Sequence, residues 1–282
     1  MLDNALPKAP RRPPGWLAPG PQPRGALGDP ELAPRSDETL SYLTGDFRIF
    51  QKRDGHRWSL DDFVTAWVAS QQPQTTPMRC IDLGCGIGSV LMMVAWSFPH
   101  ATVRGVEAQE VSVGLARRSL RFNGIDERCE VKLGDLRELA AEPEFDLVTG
   151  TPPYIPLGHG LVSEKEQRGP CCFETRGGIE EYALTASRLL APNGRFVACT
   201  GALLDQRGEQ AADAAGLQVE RRVDVVPREG KAVLVRVYVM RKPIEGAPPP
   251  SIETFVVRDQ QAEITAAMHE ARRAMGLPPP IA

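Results

Sequence analysis

Long apolar runs are missing from this 282-residue chain. None approaches the roughly 20 residues that a membrane-spanning helix needs, and the start carries no apolar core of the signal-peptide kind. An excess of either charge is missing too. Lys and Arg number 33 against 36 Asp and Glu, a formal net charge of −3. Bulk charge alone therefore does not recruit nucleic acid, and only a local basic face is left for that purpose. Paired cysteines are absent: Cys80, Cys85, Cys129, Cys171, Cys172 and Cys199 contain no C-x-x-C and no Cys/His zinc spacing. Buried, reduced thiols in a cytoplasmic protein are the expectation. His56, His100, His159 and His269 share no motif, so no metal is expected.

What is present divides the chain into three. Residues 1–40 are rich in Pro, Gly, Ala and Arg and show neither helical nor strand periodicity, which predicts a disordered leader. Its arginines are candidates for contact with RNA or partners, or form a solvated tail. Residues 41–242 hold the folded domain, and 243–282 read as a linker with a C-terminal helical extension.

From Met78 onward strands alternate with helices, which predicts a mainly parallel α/β sheet. The apolar runs 79–83, 102–107, 129–133, 145–149 and 195–200 are its strands. Residues 217–226 and 232–240, joined by a short turn containing Gly230, add a reversed C-terminal hairpin. Seven strands in all are expected, with helices near 89–98, 111–123, 179–190 and 263–275.

The strongest motif is Asp82-Leu83-Gly84-Cys85-Gly86-Ile87-Gly88, placed where a strand turns into a helix. Glycines there let the backbone bend sharply and approach a ligand closely. The acid-led D-x-G-x-G-x-G spacing differs from the G-x-G-x-x-G of dinucleotide proteins and favours S-adenosylmethionine. Glu107 ends the next strand, 19 residues after Gly88, where a carboxylate can accept both ribose hydroxyls. No P-loop lysine follows, which argues against nucleoside triphosphates.

A second motif, Thr149-Gly150-Thr151-Pro152-Pro153-Tyr154, sits at the carboxyl edge of the sheet, where ligands of open α/β folds bind. Two prolines fix the backbone and remove two donors, leaving carbonyl acceptors. Tyr154 offers a flat face for stacking. Acceptors beside a π surface suit a planar amine. Methyl transfer to such a group depends mostly on positioning.

Residues 82–88 resemble motif I of class I methyltransferases, and the Rossmann-like seven-stranded methyltransferase sheet is the fold this implies. On that resemblance Asp82, Gly84, Gly86, Gly88 and Glu107 bind the cofactor. Asp135 takes the position facing the adenine amine, or is simply a helix N-cap. Thr151-Pro152-Pro153-Tyr154 resembles the (N/D/S)-P-P-(Y/F) motif of amino-methyltransferases, with Thr151 where asparagine is usual in the adenine-N6 and glutamine-N5 families. The resemblance gives Thr151 and Pro152 the role of amine acceptors and Tyr154 that of stacking on a flipped base. The segment from Phe47 to Asp62 resembles the stretch ahead of motif I in bacterial tRNA(Val) adenine-37 N6-methyltransferases. Asp62 stands where alanine is usual. Gln51, Gly55, Arg57 and Asp61 become candidate cofactor contacts, with a surface ion pair as the alternative for Arg57 and Asp61. Arg168, Arg176 and the rest of 159–178 are expected on the substrate rim, where Arg176 either holds a phosphate or carboxylate or forms a helix-entry ion pair. The implied substrate is adenine N6 in RNA, most readily tRNA. A protein glutamine, a small amine and a non-catalytic scaffold are the alternatives.

Overall fold

The computed structural model describes residues 13–72, 78–141, 144–155 and 173–279. It opens on an antiparallel hairpin, β1 (Glu38–Tyr42) and β2 (Arg48–Lys52), followed by α1 (Leu60–Ser70). Alternation then sets in: β3 (Arg79–Leu83), α2 (Ser89–Ser97), β4 (Thr102–Glu107), α3 (Glu110–Asn123), β5 (Cys129–Leu133) and β6 (Phe145–Gly150). After these come α4 (Ile179–Leu189), β7 (Leu190–Gly201), α5 (Arg207–Ala214), β8 (Gln218–Val226), β9 (Val235–Arg241), β10 (Ser251–Val256) and α6 (Ala266–Ala274).

The main sheet has the order β10-β8-β9-β7-β6-β3-β4-β5. β3 to β7 are parallel, and β9 runs antiparallel between β7 and β8. This is the mainly parallel Rossmann-like sheet with its reversed C-terminal hairpin. Strand alternation sorts the core into two layers. On β7, Val197 and Cys199 face the side of α1, α2 and α3, while Phe196 and Ala198 face that of α4 and α5. The chain leaves β3 toward β4 and β5, then crosses back to place β6 on the other flank of β3. Such a switch point opens a crevice at the carboxyl ends of the two strands.

Two expectations need correcting. The sheet has eight strands, because β10 lies in the stretch read as linker and pairs in parallel with β8. It is an edge strand whose first four residues are exposed, so it carries no strong apolar alternation; Phe255 alone is buried, against the Trp67 ring at 4.7 Å. The leader is also ordered over residues 13–40. Gly25 N donates to Phe122 O at 2.9 Å, and Arg118 donates to the carbonyls of Glu31 and Ala33, both at 2.8 Å or less. Arg121 pairs with Asp29 at 2.5 Å. The arginines of α3 thus supply the leader with partners that its own composition does not announce. Residues 1–12 lie outside the described residues.

One indole ties the chain ends together. Gly20 in the leader, Gly45 in the β1–β2 turn and Gly276 after α6 all lie against Trp96 on α2, and a Cβ at any of them would collide with that ring. Thr44 Oγ1 donates to Met275 O at 2.5 Å beside it.

Candidate functional site

The switch-point crevice is a cleft of about 180 Å³. Its floor is the turn after β3. Gly84 and Gly86 adopt φ of +57° and +54°, the left-handed region open chiefly to glycine. A Cβ on Gly84 would collide with the Tyr182 hydroxyl of α4, so that glycine is needed for packing. A Cβ on Gly86 would meet nothing within 4 Å; that backbone lies bare to the cleft.

Glu107 closes β4 and reaches the same turn. Its Oε2 accepts from Gly86 N at 2.9 Å and its Oε1 from Gln109 N at 2.7 Å. Burial raises its carboxyl above the ordinary value. Asp82 sits behind the turn and does not line the cleft. Its Oδ1 accepts from Thr149 Oγ1 at 2.7 Å and its Oδ2 from Leu91 N at 3.1 Å, which joins β3, β6 and α2. Burial pushes it up to about 7. Gly88 likewise lies off the cleft, as the left-handed residue that starts α2. The glycine-turn expectation therefore splits into wall residues, Gly84, Gly86 and Glu107, and supporting ones, Asp82 and Gly88.

Asp135 follows β5, where its N-cap reading is seen and its cofactor reading is left with a place on the cleft wall. It caps the short 3₁₀ turn Leu136–Glu138 by accepting from Arg137 N at 3.0 Å, and it also lines the cleft. The Arg137 side chain bonded to it holds its carboxyl below the usual range.

Thr151, Pro152, Pro153 and Tyr154 leave β6 directly into the cleft. The Tyr154 ring lies against Gly201 at the end of β7. The segment ahead of β3 adds His56, Ser59, Asp61 and Asp62 to the lining. Arg57 does not join them. Its exposed guanidinium donates to Thr39 Oγ1 at 3.1 Å and Ser41 Oγ at 3.4 Å on β1, so the expected cofactor contact becomes a brace between the segment and the hairpin. Gln51 is buried and accepts from Trp58 N at 3.1 Å, which holds the segment in place; neither it nor Gly55 reaches the cleft. Arg176 lines the cleft, and the ion pairs at the entry of α4 are made instead by Arg207, with Glu174 and Glu180. Arg168 and His159 lie outside the described residues.

Asp62, Ser89, Gln109 and Tyr182 carry no motif that marks them as site residues, yet all line the cleft. For Asp62 a signal existed: it is the position that departs from the upstream pattern. Its Oδ1 lies 3.1 Å from Ser89 Oγ and 3.4 Å from Thr151 Oγ1. Burial first, and then the nearby Asp61, push its carboxyl up to about 8. Among the described residues the wall thus carries Asp61, Asp62, Glu107 and Asp135 against one cation, Arg176. Among the described residues no helix is long and apolar enough to cross a membrane.

Residues 58–160 match the family described as Methyltransferase small domain. A tRNA1(Val) (adenine(37)-N6)-methyltransferase of Porphyromonas gingivalis is 29% identical over 48% of this chain and 54% of that protein, so the chain spans about half the length of that relative. The protein of the same description from Tolumonas auensis is 30% identical over 73% of this chain and 85% of its own length. A release factor glutamine methyltransferase of Rhodospirillum rubrum is 30% identical over 58% and 55% respectively. The crystal structure of a predicted O-methyltransferase from Agrobacterium tumefaciens superimposes with a TM-score of 0.56 at 19% identity, covering 75% of this chain and 97% of the other, a likeness of fold.

Proposed function

The chain belongs to the class I S-adenosylmethionine-dependent methyltransferases, and we propose that it methylates the exocyclic N6 amine of adenine in RNA, with tRNA as the substrate. One observation carries this reading: the Thr151-Pro152-Pro153-Tyr154 turn and the Gly86–Glu107 wall share one cleft.

The cleft suits the cofactor on its own terms. The wall at Gly86 is bare backbone, Glu107 is a carboxylate able to accept paired hydroxyls, and the acidic lining complements a sulfonium cation. Glu107 would hold the ribose, Asp135 the adenine amine and Asp61 the amino-acid end. Asp82 and Gly88 act through the turn they support. Bound there, S-adenosylmethionine supplies an electrophilic methyl group.

The protein's part is to hold the acceptor nitrogen. Pro152 presents a carbonyl in a backbone that its ring has stiffened. Thr151 adds a hydroxyl oxygen, and Tyr154 a face on which a purine stacks. Two fixed acceptors on the N–H groups draw the nitrogen lone pair out of conjugation with the ring, which makes it a better nucleophile. As the new bond to carbon forms and the methyl group's bond to sulfur breaks, the nitrogen turns cationic and its extra proton passes readily to water. No side chain has to act as a strong base, so orientation supplies most of the rate. That substrate goes with a cytoplasmic location.

The test is transfer of labelled methyl groups to total tRNA, followed by nucleoside mass spectrometry. N6-methyladenosine is expected, and its absence removes the RNA reading. The Rhodospirillum rubrum relative motivates a second reading, a glutamine amide in a protein. A planar amide offers the turn the same pair of N–H groups. Methylation of a release factor, with none of RNA, would reverse the order of the two.

A further inference from the structure

Two positions at which this chain departs from the pattern it otherwise follows, Asp62 and Thr151, are 89 residues apart in sequence and meet in the cleft. Thr151 Oγ1 lies 3.4 Å from Asp62 Oδ1. The carboxyl group divides its work between its oxygens. Oδ2 accepts from Ser59 N at 2.9 Å at the start of α1, a capping bond. Oδ1 is left to face Ser89 and Thr151. Capping therefore accounts for one oxygen only. Asp62 is 4% exposed, and its hydrogen-bond partners among the described residues include no cation. A buried carboxyl group without a counter-ion is costly to ionise, so its retention in the cleft calls for a second use.

The chemistry of the neighbouring hydroxyl suggests that use. An asparagine in the first position of the turn offers a carbonyl oxygen that only accepts. A threonine hydroxyl rotates and can either donate or accept. Turned the wrong way, it would point its proton at the N–H groups it has to receive. We propose that Asp62 is a positioning residue for Thr151: its Oδ1 accepts the hydrogen bond that the hydroxyl donates and thereby leaves the Oγ1 lone pairs facing the cleft as acceptors for the substrate amine. Two side chains together then do what one amide oxygen does elsewhere. This inference rests on the reading of Thr151 as an amine acceptor. It makes the change at 151 a change of means and leaves the target class as it was.

The acidic groups that face Asp62 are Asp61 on its own helix and Asp82 on β3, with the Cys199 thiol on β7 nearby. The two carboxyl groups oppose its ionisation, which keeps its titration within reach of measurement.

Three measurements test the pair. Asp62→Asn keeps the shape but puts a donor where the acceptor stood. We expect kcat for methyl transfer to fall about tenfold or more, with the affinity for S-adenosylhomocysteine within about threefold of wild type. The double variant Asp62→Ala with Thr151→Asn needs no carboxylate. We expect it to be at least about tenfold more active than Asp62→Ala alone, with thermal melts to check that both are folded. The third readout uses neither substrate nor cofactor. Infrared titration of the Asp62 carboxyl in Thr151→Val should move to higher pH by about half a unit, because a hydrogen bond to the charged form is gone. Wild-type kcat in Asp62→Asn, no rescue in the double variant, or an unmoved infrared titration would each overturn the proposal. If wild type methylates no RNA while the titration still moves, the substrate reading falls and the Asp62–Thr151 pair stands.

Discussion

Replacing Glu107 by glutamine perturbs the cleft at one atom and should weaken cofactor binding without unfolding the protein. Glu107 is 7% exposed, and its two oxygens receive two backbone N–H groups, from Gly86 and Gln109. Glutamine retains one acceptor and presents an NH₂ at the other place. One backbone N–H of the turn then faces a donor, at a cost of about 1–3 kcal/mol that falls on the free and the bound protein alike. The charge that would receive the ribose hydroxyls is lost as well. Hydrogen bonds to charged groups are worth about 1.5–3 kcal/mol, and that loss falls on the complex alone. At about 1.4 kcal/mol per decade, affinity should drop roughly tenfold to a hundredfold. Calorimetric titration with S-adenosylhomocysteine reads the affinity, and a thermal melt reads the shared cost. A dissociation constant within about threefold of wild type, in a variant that melts at its usual temperature, would refute the assignment of Glu107 to the cofactor.

Tyr154→Ala should lower kcat/KM for tRNA by about 1–3 kcal/mol, the worth of one stacked base, with cofactor affinity unchanged in calorimetry; an equal loss of both would place the ring against the cofactor instead. Asp82→Ala removes acceptors from Thr149 and Leu91 at the junction of β3, β6 and α2, and urea melts should show a loss of about 2–4 kcal/mol. Stability of the wild type should fall as pH rises. Asp62 and Asp82 titrate near 8 and near 7 in the folded protein against an ordinary 3.8, so the folded state holds protons that the unfolded chain has shed. Their contribution is complete below the unfolded value and is lost as pH climbs through the folded ones. Urea melts at several pH values between about 5 and 8 check the sign, and Asp62→Asn should flatten the slope.

The strands from β3 to β9 were legible because each is an apolar run closed by a turn signal, and a buried parallel sheet needs nothing more. The turn at residues 84–88 was legible because positive φ selects glycine, a mark that sequence displays directly. Among the features that were not legible, three had different reasons. β10 is half exposed and borrows its order from β8, so its own residues say little. The ordered part of the leader owes its place to Arg118 and Arg121 on α3, about 90 positions away. The work of Arg57 depended on where its neighbours sit: the motif placed it correctly in sequence, but β1 lay within its reach and took it from the cleft. Asp62 shows the opposite case. Its side chain looked like a blemish in a pattern until a contact across the cleft gave it a partner.

The indole of Trp96 makes the beginning and the end of the chain answerable to each other. Trimming the protein back to the α/β unit at either side would strip the same ring, and the loss of one tail would loosen the seat of the other. Deleting both should cost less than twice the deletion of one, and the emission of that tryptophan would register each removal.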